Sequence, residues 1–258
     1  MLSINHNAGF FSCCSVKIGK ILNYFSENKT LPNTVDSSRL FRMYKIDNNV
    51  DITQDFFLHP DNISKTITYS SEIPIDRFHF QFENYKSVDY ERIVPFVNKY
   101  FTPSTEIINI YKKLITKYNI TPDNCIGLYY RGTDKRAETK LDSFDSYYTK
   151  LLELVVQLKN TQILIQTDTA QFIEYMKDKP LKNVIIIDEN STSSSNKGIH
   201  KEKTPSENYI DIQTLFATFL IISRCKYIIC SSGNCSIWMM YYRNHAHNVY
   251  QNLNRKWL

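Results

Sequence analysis

Apolar and polar positions run along this chain in two rhythms, and the change between them falls near residue 120. Beyond it, dense apolar runs occupy 125–130, 162–166, 184–187, 227–230 and the stretch around 248–250. Continuous Ile, Val and Leu without alternation predicts strands buried on both faces. Between these runs, 143–158, 170–177, 206–223 and 235–243 carry the spacing of helices. Strand and helix in regular succession imply a parallel sheet covered by helices on both sides, an α/β architecture.

Before residue 120 the rhythm is less regular. Leu2–Asn5 predicts a short strand and Asn7-Ala8-Gly9 a turn. Val16, Ile18, Ile21, Leu22 and Phe25 give 12–25 a helical stripe, and 33–36 reads as a second strand. Residues 45–85 are irregular, with short aromatic-rich pieces at 56–57, 67–69 and 78–82 as strand candidates. Two helices follow, at 90–100 and 104–118, the second opened by Pro103 with Thr102 or Ser104 as its cap. The break at 118–123 divides the chain into 1–118, small and irregular, and 119–258, Rossmann-like.

Composition narrows the class. The 258 residues are 42% hydrophobic and 22% charged, enough for one large domain or two small ones without disulfides. Lys and Arg number 31 against 26 acidic residues, a net +5 spread along the chain with no basic stripe, which argues against a nucleic-acid partner. None of the six cysteines has C-x-x-C spacing, so they read as reduced, small hydrophobes. The longest apolar stretch, 215–230, is interrupted by Arg224 and Lys226 and predicts no transmembrane segment. With no signal-like N-terminus, the expected location is cytoplasmic.

Ligands of open parallel sheets bind beyond the carboxyl ends of the strands. After the strand at 125–130 stand Tyr129, Arg131, Gly132, Thr133 and Asp134. A guanidinium there suits a diphosphate through two parallel charge-assisted bonds, each worth about 1.5–3 kcal/mol. Asp134 would hold it in place; the alternative is a surface Arg–Asp pair. After 227–230 come Ser231, Ser232, Gly233 and Asn234, then a helix, an arrangement whose free amides bind anions. Plain capping by Ser232 or Asn234 is the alternative. Asp168 or Thr169 reads as a helix N-cap. Gly9 opens a loop that can face the second half across a cleft, beside His6, Asn7 and Ser12. Asp36 is a carboxylate on the same edge. The chain lacks the Gly-x-Gly-x-x-Gly and P-loop fingerprints, a clustered metal site and an Asp-x-Asp pair. A diphosphate site without a metal is the simplest reading.

The segment Ile126-Gly127-Leu128-Tyr129-Tyr130-Arg131-Gly132-Thr133-Asp134-Lys135 resembles the His-x-Arg-Arg-Thr-Asp-Lys or His-x-Arg-Arg-Gly-Asp signature of the α1,6-, α1,2- and protein O-fucosyltransferases. Ile163-Leu164-Ile165-Gln166-Thr167-Asp168 is similar to that group's strand ending in Thr-Asp-Asp or Ser-Asp-Asp. The stretch 225–238 resembles its closing strand, Ser/Thr-rich turn and helix, 99–104 the lead into its second domain, and Asn7-Ala8-Gly9 loosely its opening glycine loop. The specific likeness covers residues 99–240.

The resemblance implies two Rossmann-like domains of type B glycosyltransferase kind, with 1–118 on the acceptor side and 119–258 holding the nucleotide sugar. It implies inverting transfer of a sugar, fucose from GDP-fucose as best guess, to a hydroxyl of a glycan acceptor, with neither metal nor cofactor. Another GDP- or UDP-sugar, or an inactive nucleotide- or glycan-binding module, is the alternative. Arg131 aligns with the arginine on the donor β-phosphate and is the expected catalytic cation. Asp36, His6 and Glu138 are candidate bases. The chain departs from the group at Tyr129 (histidine there), Gly132 (a second arginine), Thr169 (a second acid) and Thr218 (the guanine-reading acid). Asp211, two helical turns before Thr218, is the substitute acid.

Overall fold

A computed structural model describes residues 1–58, 80–135, 138–158 and 160–258. The first half opens with β1 (Leu2–Asn5), α1 (Phe10–Asn28) and β2 (Val35–Arg39), and continues through α2 (Thr53–Phe56), α3 (Tyr90–Tyr100) and α4 (Thr105–Lys117). The second half runs β3 (Cys125–Tyr130), α5 (Phe144–Gln157), β4 (Gln162–Thr167), α6 (Ala170–Lys177), β5 (Val184–Ile186), α7 (Pro205–Arg224), β6 (Tyr227–Ser231), α8 (Asn234–Arg243), β7 (Val249–Leu253) and β8 (Lys256–Trp257).

The large sheet has the order β5-β4-β3-β6-β7-β8, parallel throughout except for the β7–β8 pair. Chain order reverses between β3 and β6, so the crevice of this sheet opens at their carboxyl ends. The small N-terminal sheet is the parallel pair β1–β2, joined through α1.

Alternate residues of β3 enter different layers. Cys125 and Tyr129 join the cluster built with α1, α3, α4, α7 and α8, whereas Ile126, Leu128 and Tyr130 pack under α5 and α6. That two-sided burial is why the strand reads as an unbroken apolar run. Gly127 lies on the α7 side, where a Cβ would come within 2.8 Å of the Ile222 side chain, so its missing side chain sets the approach of α7 to the sheet. The α7-side cluster extends from Ile4 to Val249, and Phe10, Phe11, Phe57, Phe216 and Trp238 interlock within it.

Capping follows side-chain chemistry. Ser104, Ser143 and Thr204 accept from the first-turn amides of α4, α5 and α7, and Thr204 forms a reciprocal box with Glu207. At two strand ends the structure decides the cap. The N-cap of α8 is Gly233, so the expectation of Ser232 or Asn234 is corrected; that of α6 is Thr169, one of the two residues expected, and neither helix has a side-chain cap bond. The second strand begins at Val35 rather than 33 and contains Asp36. In the irregular stretch, Phe56 closes a helical turn, Phe57 makes an isolated bridge to Pro103, and Phe80–Phe82 forms a 3-10 turn. The strand expected at 67–69 lies outside the described residues.

Candidate functional site

The crevice at the β3/β6 reversal is a cleft of about 430 Å³. Its walls come from both halves of the chain: the Gly9 turn and Tyr44 on one side, the loops after β3, β4, β5 and β6 on the other. Of the residues singled out in the sequence, Gly9, Tyr129, Arg131, Asp134, Asp168, Asp211 and Asn234 line it, as does Glu138.

Arg131 is the first residue after β3, and its backbone amide donates to Ser231 Oγ at 3.1 Å, joining the ends of β3 and β6. Its side chain is mostly buried, with Nη2 donating to Asp134 Oδ1 at 2.8 Å and Nη1 reaching Cys235 Sγ at 3.3 Å. Nε is buried without a hydrogen-bond partner, and Asp168 Oδ2 is 3.8 Å away. Such a donor is costly to leave unmet, by about 1–3 kcal/mol.

Asp168 organises the loop. Oδ1 accepts from the Gly132 amide at 2.9 Å and the Thr169 hydroxyl at 2.9 Å, and Oδ2 accepts from the Thr133 hydroxyl at 2.6 Å. Gly132 and Thr133 therefore stand behind the cleft wall rather than in it. A Cβ on Gly132 would lie 2.6 Å from Tyr130 Cε1 and 2.7 Å from Thr169 Oγ1, so the site has no room for a second arginine there.

The turn after β6 is built from internal bonds. The Ser232 amide and hydroxyl both donate to the Asn252 carbonyl, and the Gly233 amide donates to the Tyr85 hydroxyl at 3.0 Å. Ser231 Oγ is engaged by Arg131 and by Tyr147. The expectation that the amides of 232–234 together face an anion is thereby corrected: two of them are occupied. What remains at the cleft is the first turn of α8, with Asn234 and Cys235 in the wall and helix amides that have no carbonyl of their own.

Asp36 does not line the cleft; it sits on β2, where Ser3 and Ser38 donate to its carboxylate and hold it below the usual carboxylate range. His6 is likewise outside the wall, with Nε2 3.0 Å from Ser12 Oγ. Thr218 is fully buried beneath the floor and donates to the Thr214 carbonyl.

Several lining residues had no signal in the sequence. His200 lies 3.6 Å from where a Gly9 Cβ would stand, and burial pulls its imidazole below the ordinary value, helped by the Arg131 charge. Gly198 lets that loop approach, since a Cβ there would meet Asp134 Oδ2 at 2.8 Å. Burial pushes the Asp134 carboxyl up, but the Arg131 charge and hydrogen bond outweigh it and hold the group low. Lys135, only 4% exposed, pairs with Glu138 and rests against Gly233. Lys203 Nζ ties Asp211 to Ser191. Among the described residues no group of His, Cys, Asp or Glu has the arrangement of a metal site. No described helix is long and apolar enough to cross a membrane.

No sequence-family model matches this chain, and no curated protein matches it. Solved structures do. A fucosyltransferase NodZ from Bradyrhizobium superposes with a TM-score of 0.60 at 10% identity, over 97% of this chain and 94% of that one. A NodZ alpha-1,6-fucosyltransferase co-crystallized with GDP gives 0.60 at 10% identity, over 97% and 93%. One soaked with GDP-fucose gives 0.59 at 11% identity, over 93% and 91%. The chain has the α/β, type B glycosyltransferase-like fold of these fucosyltransferase structures.

Proposed function

We propose that this protein is a glycosyltransferase that binds a GDP-sugar in the β3/β6 crevice and transfers the sugar, fucose, to a hydroxyl of a glycan acceptor. The observation that carries the reading is Arg131: a mostly buried guanidinium at the sheet's reversal point, one N–H unpartnered, beside the first turn of α8. The fold shared with structures that bind GDP and GDP-fucose supports it. In this reading 1–118 forms the acceptor side, 119–258 holds the donor, and the protein works in the cytoplasm.

The chemistry is substitution with inversion. The acceptor oxygen forms a bond to the anomeric carbon as the bond from that carbon to the diphosphate breaks, and the nucleoside diphosphate leaves with the electron pair. Negative charge grows on its oxygens as the sugar gains oxocarbenium character. Arg131 and the first-turn amides of α8 are preorganised to meet that charge, where removing one such donor costs about 2.7–4 kcal/mol. The acceptor proton needs a base. Glu138 and His200 line the cleft, and His200 is held neutral at physiological pH by burial.

Calorimetric titration with GDP, UDP and their common sugar conjugates tests the reading. GDP binding by wild type and its loss in Arg131→Ala is the expected result. Two charge-assisted bonds amount to roughly 3–6 kcal/mol, a hundredfold or more in affinity. Preference for UDP would leave the fold and overturn the donor. Binding of neither nucleotide would point to an inactive module.

A further inference from the structure

The amino edge of the large sheet, opposite the crevice, holds a second cleft of about 790 Å³. Its walls are the residues that lead into β3, β6 and β7, among them Asp123, Lys226 and Asn248, and the last turns of α7 and α8. Arg224, Lys226 and Arg243 bring three permanent positive charges to it, against the one acid in its lining, Asp123.

Basic side chains at the ends of helices ordinarily complement the carbonyls there. Here Arg243 takes that role. Its Nη1 donates to the Ser223 and Cys225 carbonyls at 3.0 and 2.6 Å, and its Nη2 to the Lys226 and His247 carbonyls at 3.1 Å each. The end of α7 thus has its cation, and the other two are left over. Arg224 rests on the Tyr111 ring, 4.7 Å from its centroid, and Lys226 Nζ is 5.9 Å from the centroid of Tyr227. Among the described residues neither meets a carboxylate or a carbonyl, and both are exposed. The aromatic contact orders the guanidinium without using its N–H groups.

A third donor stands in the same wall. The His247 amide donates to His245 Nδ1 at 3.2 Å, so the neutral ring carries its proton on Nε2. Burial first, then the Arg243 charge, holds that imidazole below the ordinary value. The cleft therefore offers a planar fork, a compact ammonium and a ring N–H, the donor set that phosphate oxygens accept.

We infer that this second cleft binds a phosphate ester, held by Arg224, Lys226 and His245 Nε2–H. The site lies at the other end of the strands from Arg131 and does not rest on the donor reading.

The test is calorimetric titration of the full chain with inorganic phosphate, in wild type, Arg131→Ala and the double variant Arg224→Gln, Lys226→Gln. Saturable binding is expected in wild type and unchanged in Arg131→Ala. The double variant should weaken it about tenfold, two exposed charge contacts at about 1 kcal/mol each, with thermal stability kept because neither side chain bonds to the protein. If the double variant proves unstable, Lys226→Gln alone decides by the same readout. Wild type that shows no saturable binding would overturn the site. So would binding that Arg131→Ala abolishes and the double variant retains, since the anion would then sit in the donor crevice. Vesicles of phosphatidylcholine doped with phosphatidic acid distinguish the source of the ester. Sedimentation with them that depends on Arg224 and Lys226 supports a lipid headgroup, and phosphate binding without sedimentation supports a soluble ester.

Discussion

Asp168 accepts the Gly132 amide proton at 2.9 Å, across the carboxyl ends of β4 and β3. With the Thr133 and Thr169 hydroxyls on the same carboxylate, that bond sets the path of the chain carrying Arg131. Asp168 is thus a positioning residue for the cation, as well as a negative charge 3.8 Å from its Nε.

Asp168→Ala leaves three donors unmet. At about 0.5–1.5 kcal/mol each, stability should fall by roughly 2–4 kcal/mol. Asp168→Asn keeps an oxygen for the Gly132 amide, and the Thr133 hydroxyl can turn to accept, so its loss should be nearer about 1 kcal/mol. The charge beside Arg131 disappears in both. Thermal denaturation and GDP titration on the pair separate the roles: weaker GDP binding in a near-normally stable Asp168→Asn marks positioning, and unchanged binding would reduce Asp168 to a structural link.

Gly132→Ala should destabilise by about 1–3 kcal/mol, because its Cβ meets atoms that cannot retreat. Tyr130 is stacked on Phe172 with centroids 4.5 Å apart and packed edge-on against Tyr147 and Phe144. Restoring an arginine by Gly132→Arg should therefore lower stability rather than strengthen donor binding. A variant as stable as wild type in urea titration would show that the wall yields.

The strands and helices after residue 120 were legible because burial on both faces writes itself into the sequence as unbroken apolar runs. β3, α3 and α6 fall within the residues the pattern assigns. Arg131 was legible for a positional reason: polar residues directly after a buried strand face the crevice. The rest depends on pairings far apart in sequence. Tyr85 holds the Gly233 amide across 148 positions, and nothing local to either residue announces it. His200 sits in the short 3-10 turn Ile199–Lys201 and Asn190 in a loop, neither with periodicity, and only the packing around them brings them to the cleft. Asp36 misled because a carboxylate near a strand end resembles a site residue until its partners, Ser3 and Ser38, are seen.

The histidines predict a pH response. His6, His200 and His245 all have imidazoles depressed from the ordinary 6.5, each chiefly by burial. The folded state therefore binds fewer protons than the unfolded chain, so stability is full above about pH 6.5 and falls as pH drops toward their lowered values. Denaturant midpoints measured between pH 7.5 and 5 should decline, and His200→Gln should flatten part of that slope. A flat profile in wild type would mean these rings are solvated.

Chelation provides the last test, since it asks where the leaving group's charge is met. Arg131 brings a permanent charge to the cleft, Asn234 and Cys235 bring the positive end of α8, and Lys135 is buried in the same wall. In the proposed reading a guanidinium and a helix terminus together bind the diphosphate and stabilise it as it departs. Turnover of a GDP-sugar should then be unchanged by excess EDTA, while Arg131→Ala should lose it and not regain it with added Mn²⁺ or Mg²⁺. An enzyme silenced by EDTA and restored by either ion would place the missing charge on a metal and reduce Arg131 to a partner of Asp134.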